Sequence, residues 1–196
     1  MTFVLGLTGS IGMGKSTTSG FFREAGIPVW DADAAVHALY APGGAAVAPL
    51  GALCPAAVVD GGIERAALKD WIARDPSALK QIETVVHPLV ARDREQFIAL
   101  HRAEKTPLLV LDVPLLLESG ADRLCDAVLV VSADPAVQRS RVMARPGMTE
   151  AHFNALLAKQ MPDARKRALA DHLIITESLE QTARDVKALI SKLTAG

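Results

Sequence analysis

Gly9-Ser10-Ile11-Gly12-Met13-Gly14-Lys15-Ser16 satisfies the pattern G-x-x-x-x-G-K-[S/T] at every defined position. The chemistry explains the spacing. Gly9, Gly12 and Gly14 let the backbone come close to oxygens and adopt conformations other residues resist. Successive N–H groups can then converge into an anion nest. A helix opening just after the loop adds its positive end to the same place. Lys15 suits the β and γ oxygens of a nucleoside triphosphate. The Ser16 hydroxyl suits the Mg²⁺ that clamps those two phosphates.

The flanks supply the context such a loop needs. Phe3-Val4-Leu5-Gly6-Leu7 is apolar without alternation, as in a parallel strand buried on both faces. Residues 15–25 read as a helix, with Gly26 at the expected stop. Ile27-Pro28-Val29-Trp30 reads as a second strand. Strand, helix, strand predicts a parallel sheet covered by helices. The sheet resumes at residues 108–111, ahead of Asp112-Val113-Pro114, and again at residues 127–131 and 173–175. Asp134-Pro135 predicts a helix start, with the helix reaching Arg145 before Pro146-Gly147. Thr149 predicts another, ending near Pro162. Ser178 and Gln181 have capping-box spacing. Val186, Leu189, Ile190 and Leu193 give the closing helix an apolar face.

Residues 33–105 break this rhythm: they predict helices at 34–40 and 63–74 and no buried strand. A third helix follows Asp75-Pro76 and runs toward Arg102, with His87-Pro88 kinking or dividing it. The Ala-rich stretch 41–57 reads as loosely ordered. The whole therefore predicts an α/β three-layer fold with a five-stranded parallel sheet. Core segments are 1–33, 105–138 and 168–196. A helical substrate lobe spans about 34–104, and a helical lid about 139–167.

With 196 residues and net charge −1, the chain fits one domain carrying an insertion. Near-neutrality argues against nucleic-acid and membrane-surface partners. No apolar run reaches the length a bilayer requires. The opening lacks the basic lead of a signal peptide, so the expected location is the cytoplasm. Cys54 and Cys125 fit reduced thiols. The histidines show no metal-ligand spacing.

A switch GTPase would carry an N-K-x-D element, and none is found. What the chain carries is carboxylates at strand ends and a late arginine group. In open α/β sheets ligands bind beyond the carboxyl ends of strands. Asp31 and Asp33 follow the second strand. Either can cap the next helix, and either can accept a hydroxyl proton during phosphoryl transfer. Asp112 ends a strand, as a turn residue or as a carboxylate holding magnesium through water. Arg139, Arg141 and Arg145 are placed on one helix, the latter two sharing a face. With Lys159, Arg165, Lys166 and Arg167 they read as a basic lid closing on ATP, or as a solvated charged face. His87, a lone histidine beside a proline, reads as structural or catalytic. Trp30, Trp71 and Tyr40 read as packing residues. These features predict a P-loop kinase of a small hydroxyl or phosphate acceptor. The alternatives are shikimate, gluconate or nucleoside monophosphate kinases, and a nucleotide-binding regulator.

Several segments together resemble the dephospho-coenzyme A kinase family. They are residues 7–17, Asp31-Ala32-Asp33 with His37, and Asp60-Gly61-Gly62-Ile63 with Arg65 and Leu68. They continue with His87-Pro88, Asp112-Val113-Pro114-Leu115-Leu116-Leu117-Glu118, Gln138 with Arg141 and Arg145, Gln160, and Ala170-Asp171. The resemblance implies transfer of the γ-phosphoryl group of ATP to the ribose 3′-hydroxyl of dephospho-CoA. It implies Asp33 as base, with Lys15, Mg²⁺ and Arg141 stabilising the moving charge. ATP would contact Gly9, Ser10, Ile11, Gly12, Met13, Gly14, Lys15, Ser16, Thr17, Arg141 and Arg145. Asp33, His87, Asp112, Pro114 and Leu115 would form the acceptor site. Leu117 stands where phenylalanine is usual, a tolerable packing change. Ile175-Thr176 replaces an Asp-Asn pair, so polar contacts that relatives make there do not carry over.

Overall fold

The structure, a computed structural model, describes residues 1–195. The chain opens with β1 (Phe3–Thr8), α1 (Lys15–Glu24) and β2 (Val29–Asp31). Next come α2 (Ala32–Tyr40), α3 (Val47–Leu53), β3 (Val58–Val59), β4 (Gly62–Ile63), α4 (Arg65–Arg74) and α5 (Ala78–Ala103). It closes with β5 (Leu108–Asp112), β6 (Ala127–Ser132), α6 (Pro135–Met143), α7 (Glu150–Ala158), α8 (Asp163–Ala168), β7 (His172–Ile175) and α9 (Leu179–Thr194). Two compact units result: Met1–Trp30 with the chain from His101 onward, and Asp31–Leu100.

The first unit is built on a five-stranded sheet in the order β2-β5-β1-β6-β7. β1 runs parallel to both β5 and β6, and β6 runs parallel to β7. Both faces of these strands are covered, which explains their unbroken apolar sequences. On one face Leu5, Leu7, Val110, Leu129 and Val131 pack with Phe22 of α1 and Val186 and Leu189 of α9. On the other, Val128 and Val130 pack with Leu116. Gly6 belongs to this second face. A Cβ there would lie 2.6 Å from Leu116 and 2.8 Å from the Cys125 sulfur, so a hydrogen is all the site admits.

The strand register decides what gathers at the carboxyl ends. Leu7 pairs with Asp112, Thr8 with Val130, and Ser132 with Ile175. Asp112 and Ser132 therefore finish their strands, and Thr176 follows the end of β7, on the level where β1 enters residues 9–14.

The helical unit has its own core, in which Leu50, Ile63, Leu68, Ile82 and Val86 meet Tyr40 and Trp71. Three expectations are corrected here. The Ala-rich stretch is ordered: it contains α3, and Ala46 and Leu50 are fully buried. Its small side chains let a short helix sit close to its neighbours. The predicted helix at 63–74 begins only at Arg65, because Gly62 and Ile63 pair with Val58 and Val59 in a minimal hairpin. Two-residue strands carry too little alternation to be read from sequence. Finally, His87-Pro88 does not divide the third helix: α5 is one helix of 26 residues with Pro88 inside it. Proline removes only one intrahelical bond, to the Thr84 carbonyl. Ile82 and Val86 are buried in the turns just before it, so packing holds the helix there.

The late region departs from its reading in two places. α6 stops at Met143, so Arg145 lies in the turn beyond it rather than on a helical face with Arg141. Asp134 does cap α6, accepting from the Ala136 N–H at 2.7 Å. The helix opened by Thr149 ends at Ala158, and α8 follows separately.

Candidate active site

The phosphate loop is held from every side. Gly12 and Gly14 have φ of 77° and 87°, a region that favours glycine. A Cβ on Gly14 would come within 2.9 Å of the Thr176 side chain, so no larger residue fits even apart from backbone strain. Met13 is buried, and its sulfur accepts the Ala133 N–H at 3.0 Å. Ile11 is clasped by two glutamines. Its N–H donates to Gln160 Oε1 at 3.0 Å, and its carbonyl accepts from Gln138 Nε2 at 2.8 Å. No side chain caps α1. Its first N–H groups have no intrahelical partner and remain able to bind an anion. Ser16 and Thr17 are exposed in that first turn.

Lys15 is the central cation. Its ammonium donates to Asp112 Oδ1 at 2.6 Å, and the Asp112 residue is only 1% exposed. The pairing follows from topology, because the β1–β5 register sets Asp112 beside Leu7, two residues before Gly9. Just past Asp112, the Pro114 carbonyl accepts from the Thr8 hydroxyl at 3.0 Å. Leu115 is exposed, and Leu116 turns into the core.

Arg141 of α6 is fixed as a fork. Nη1 donates to Thr176 Oγ1 at 2.9 Å, and Nη2 donates to the Thr176 carbonyl at 2.6 Å. Thr176 Oγ1 also lies 3.0 Å from the Met13 carbonyl and 3.3 Å from that of Ser132. The residue that departs from the family pattern is thus the junction between the loop and Arg141. Sequence reading missed it because threonine there matched no motif.

The expected basic lid is revised at one of its cations. Lys166 is fully buried and pairs with Glu118 at 2.8 Å, so it is a structural cation and not a free lid charge. Glu118 also accepts the Met161 N–H at 2.8 Å. Burial raises the Glu118 carboxyl, but the Lys166 ammonium and the Met161 N–H outweigh it and hold the group below its ordinary value. Arg139 pairs with Glu150 at the surface. Arg145 is exposed in its turn.

Asp33 and His87 belong to the helical unit. Asp31 caps α2, accepting from the N–H groups of Asp33 and Ala34, each at 3.0 Å. The cap therefore occupies Asp31 and leaves the Asp33 carboxylate exposed in the first helical turn. His87 is exposed on α5.

A parallel sheet in this strand order, with a Gly-Lys-Ser loop between β1 and the first helix, defines a P-loop kinase. A sequence profile of dephospho-CoA kinases matches residues 3–181. The dephospho-CoA kinase of Jannaschia sp. is 58% identical over the full length of both chains. That of Cereibacter sphaeroides is 58% identical over 97% of this chain and 95% of its own. A solved structure from Thermus thermophilus superposes with a TM-score of 0.78 at 36% identity, covering 98% of each chain. The chain belongs to the dephospho-CoA kinase family.

Proposed function

We propose that this enzyme transfers the γ-phosphoryl group of ATP to the 3′-hydroxyl of the ribose of dephospho-CoA, giving coenzyme A and ADP. The observation that carries this most directly is the loop itself. Lys15 and Asp112 lie 2.6 Å apart at the mouth of an uncapped helix, in a chain matched over residues 3–181 by a profile of dephospho-CoA kinases.

In this mechanism residues 9–17 hold the triphosphate through backbone N–H groups, and Lys15 follows the β and γ oxygens. The acceptor O3′ attacks phosphorus in line, the bond to the β-γ bridging oxygen breaks, and ADP departs. The proton on O3′ passes to the Asp33 carboxylate, exposed and unused by the cap that occupies Asp31. Arg141, anchored on Thr176, neutralises charge on the transferring group with its positive charge and the N–H donors that Thr176 leaves unused. Arg145 contacts the nucleotide, while His87, Pro114 and Leu115 line the acceptor side. Residues 34–104 act as the substrate lobe and 139–167 as the lid. The enzyme works in the cytoplasm; no helix among the described residues is long and apolar enough to cross a membrane.

Magnesium fits the oxygen donors present, an exposed Ser16 hydroxyl beside Lys15 and the Asp112 carboxylate, the latter through water. Mg²⁺ favours one or two protein ligands plus phosphate oxygens and water. It would supply charge neutralisation between the β and γ phosphates.

A coupled ADP-release assay with Mg-ATP tests the proposal by comparing dephospho-CoA with shikimate, gluconate and nucleoside monophosphates. Turnover confined to dephospho-CoA, with a product heavier by one phosphate, supports it. Turnover only with another acceptor, or ADP release indifferent to acceptor, overturns it.

A further inference from the structure

The Ile11 backbone is gripped on both sides by glutamines that lie outside the loop pattern itself. We infer that Gln138 and Gln160 are positioning residues. They hold the Ile11–Gly12 peptide in the orientation that turns the Gly12 N–H toward the triphosphate, and they tie that orientation to the chain on either side of α7. The inference rests on the ATP-dependent reaction proposed above and adds the residues that preorganise its phosphate site.

The first observation is the turn that Ile11 occupies. The Met13 N–H donates to the Ser10 carbonyl at 3.1 Å, which closes a turn over Ser10, Ile11, Gly12 and Met13. Gly12, its third residue, has φ of 77°, and Ile11 lies outside the left-handed region, the pattern of a type II turn. A type I turn of the same residues has its central peptide, Ile11 to Gly12, turned over. In a trans peptide the carbonyl and the N–H point opposite ways. The choice between the two turns therefore decides whether a donor or a carbonyl oxygen faces a bound anion.

The second is the sense of the two bonds. Gln138 Nε2 donates to the Ile11 carbonyl at 2.8 Å, and the other end of that peptide is the Gly12 N–H. Gln160 Oε1 accepts from the Ile11 N–H at 3.0 Å. A backbone carbonyl only accepts and an N–H only donates, so the partners fix which way round each side-chain amide sits. Gln138 is the donor of the pair and Gln160 the acceptor. Gln138 thus draws the Ile11 carbonyl to α6 and aims the Gly12 N–H the other way, with no reorientation left for the moment of binding. Gln160 holds the preceding peptide, whose Ser10 carbonyl is the one that closes the turn.

The third is what stands behind the glutamines. Gln138 is buried on α6. A Cβ on Gly12 would lie 2.5 Å from Val142 Cγ2 and 3.0 Å from the Gln138 carbonyl, so α6 packs directly on the turn. Gln160 lies just past the end of α7, its N–H bound to the Leu157 carbonyl at 3.0 Å. The chain before α7 and the chain after it therefore meet at one residue of the loop, and displacement of either side loosens the peptide that presents Gly12.

The test uses Gln138→Met, Gln138→Glu, Gln160→Met and Gln160→Glu in the full chain, at about pH 8, where glutamate is ionised. A magnesium-bound non-hydrolysable ATP analogue is titrated onto each variant. Steady-state kinetics with dephospho-CoA run in parallel, and melting curves confirm the fold. Methionine keeps the length of the side chain and removes the hydrogen bond. Both methionine variants are expected to weaken analogue binding and to lower kcat/KM for ATP about tenfold, with the KM for dephospho-CoA unchanged. Glutamate separates the two roles. It adds one negative charge beside Ile11 at either position, so charge alone would weaken binding alike. At 160 it still accepts the Ile11 N–H; at 138 it cannot donate, and it repels the Ile11 carbonyl. Gln138→Glu should therefore bind the analogue about tenfold more weakly than Gln160→Glu. Unaltered analogue binding in either methionine variant, equal losses in the two glutamate variants, or a KM for dephospho-CoA that rises as far as that for ATP overturns the inference while the reaction stands. Where a Gln138 variant fails to fold, unaltered analogue binding in Gln160→Met overturns it alone. Wild-type protein that binds no analogue overturns both, and wild-type protein that binds it yet leaves dephospho-CoA unphosphorylated overturns the reaction.

Discussion

Thr176 has one hydroxyl proton and two lone pairs, and the structure engages them on three partners. Arg141 donates to the oxygen, while the Met13 and Ser132 carbonyls compete for its proton. Thr176→Val keeps the shape and removes the hydroxyl. One donor of the Arg141 fork and the Met13 carbonyl then lose a partner, while the Ser132 carbonyl keeps the Thr176 N–H at 2.8 Å, and stability should fall by about 1–3 kcal/mol. kcat should fall as well, with Thr176→Ser restoring both; denaturant titration and steady-state kinetics read the two effects. Asp33→Asn should retain ATP binding and lose at least about a hundredfold in kcat, because it removes a proton acceptor and no phosphate contact. A near-normal kcat in that variant would take Asp33 out of the mechanism. Arg141→Lys replaces a fork with a point charge. A loss of about tenfold, or about 1.4 kcal/mol of barrier, is expected, and unchanged kinetics would reduce Arg141 to a structural role.

Among the elements, α8 is the one whose reading changed most. Its Arg165-Lys166-Arg167 run looks like a solvated stripe, yet helical rotation turns Lys166 inward to Glu118. Local sequence cannot reveal which of three adjacent cations meets a carboxylate 48 positions earlier. Glu118→Ala would leave a buried ammonium without its carboxylate, at a cost of about 3 kcal/mol. The pH dependence has a defined sign. The folded carboxyl lies below its ordinary 4.5, so its contribution is complete above pH 4.5. That contribution disappears as pH falls from there through the folded value. The acid limb of a stability–pH curve should be flatter in Glu118→Gln; an identical limb would show that the pair adds nothing.

For the molecule as a whole, legibility followed the range of the interactions. The loop, its flanking strand and its helix are local in sequence, and they emerged where the glycines, Lys15 and the apolar run predicted them. Caps such as Asp134 and Ser178 were equally local; Ser178 accepts the Gln181 N–H at 3.1 Å. The reciprocal half of that box is absent, because the Gln181 side chain turns to Asp185 and Arg184. What escaped is set by distant partners: Thr176 under Gly14, the glutamines on Ile11, and the burial that carries α5 through Pro88. Ligand linkage tests the nucleotide site at this scale. Mg-ATP at about a hundred times its Kd should add about 2.7 kcal/mol of stability. Lys15→Met should abolish most of that thermal shift, and EDTA should reduce it.

The enclosure of Lys166 also makes it a natural clock. Amine-acylating reagents reach exposed lysines directly, but this ammonium is at 0% exposure. It can react only when α8 opens, so its acylation rate is the opening equilibrium multiplied by the intrinsic rate of a free amine. Mass spectrometry of one peptide, with and without nucleotide, would then time the motion of this segment without any introduced label.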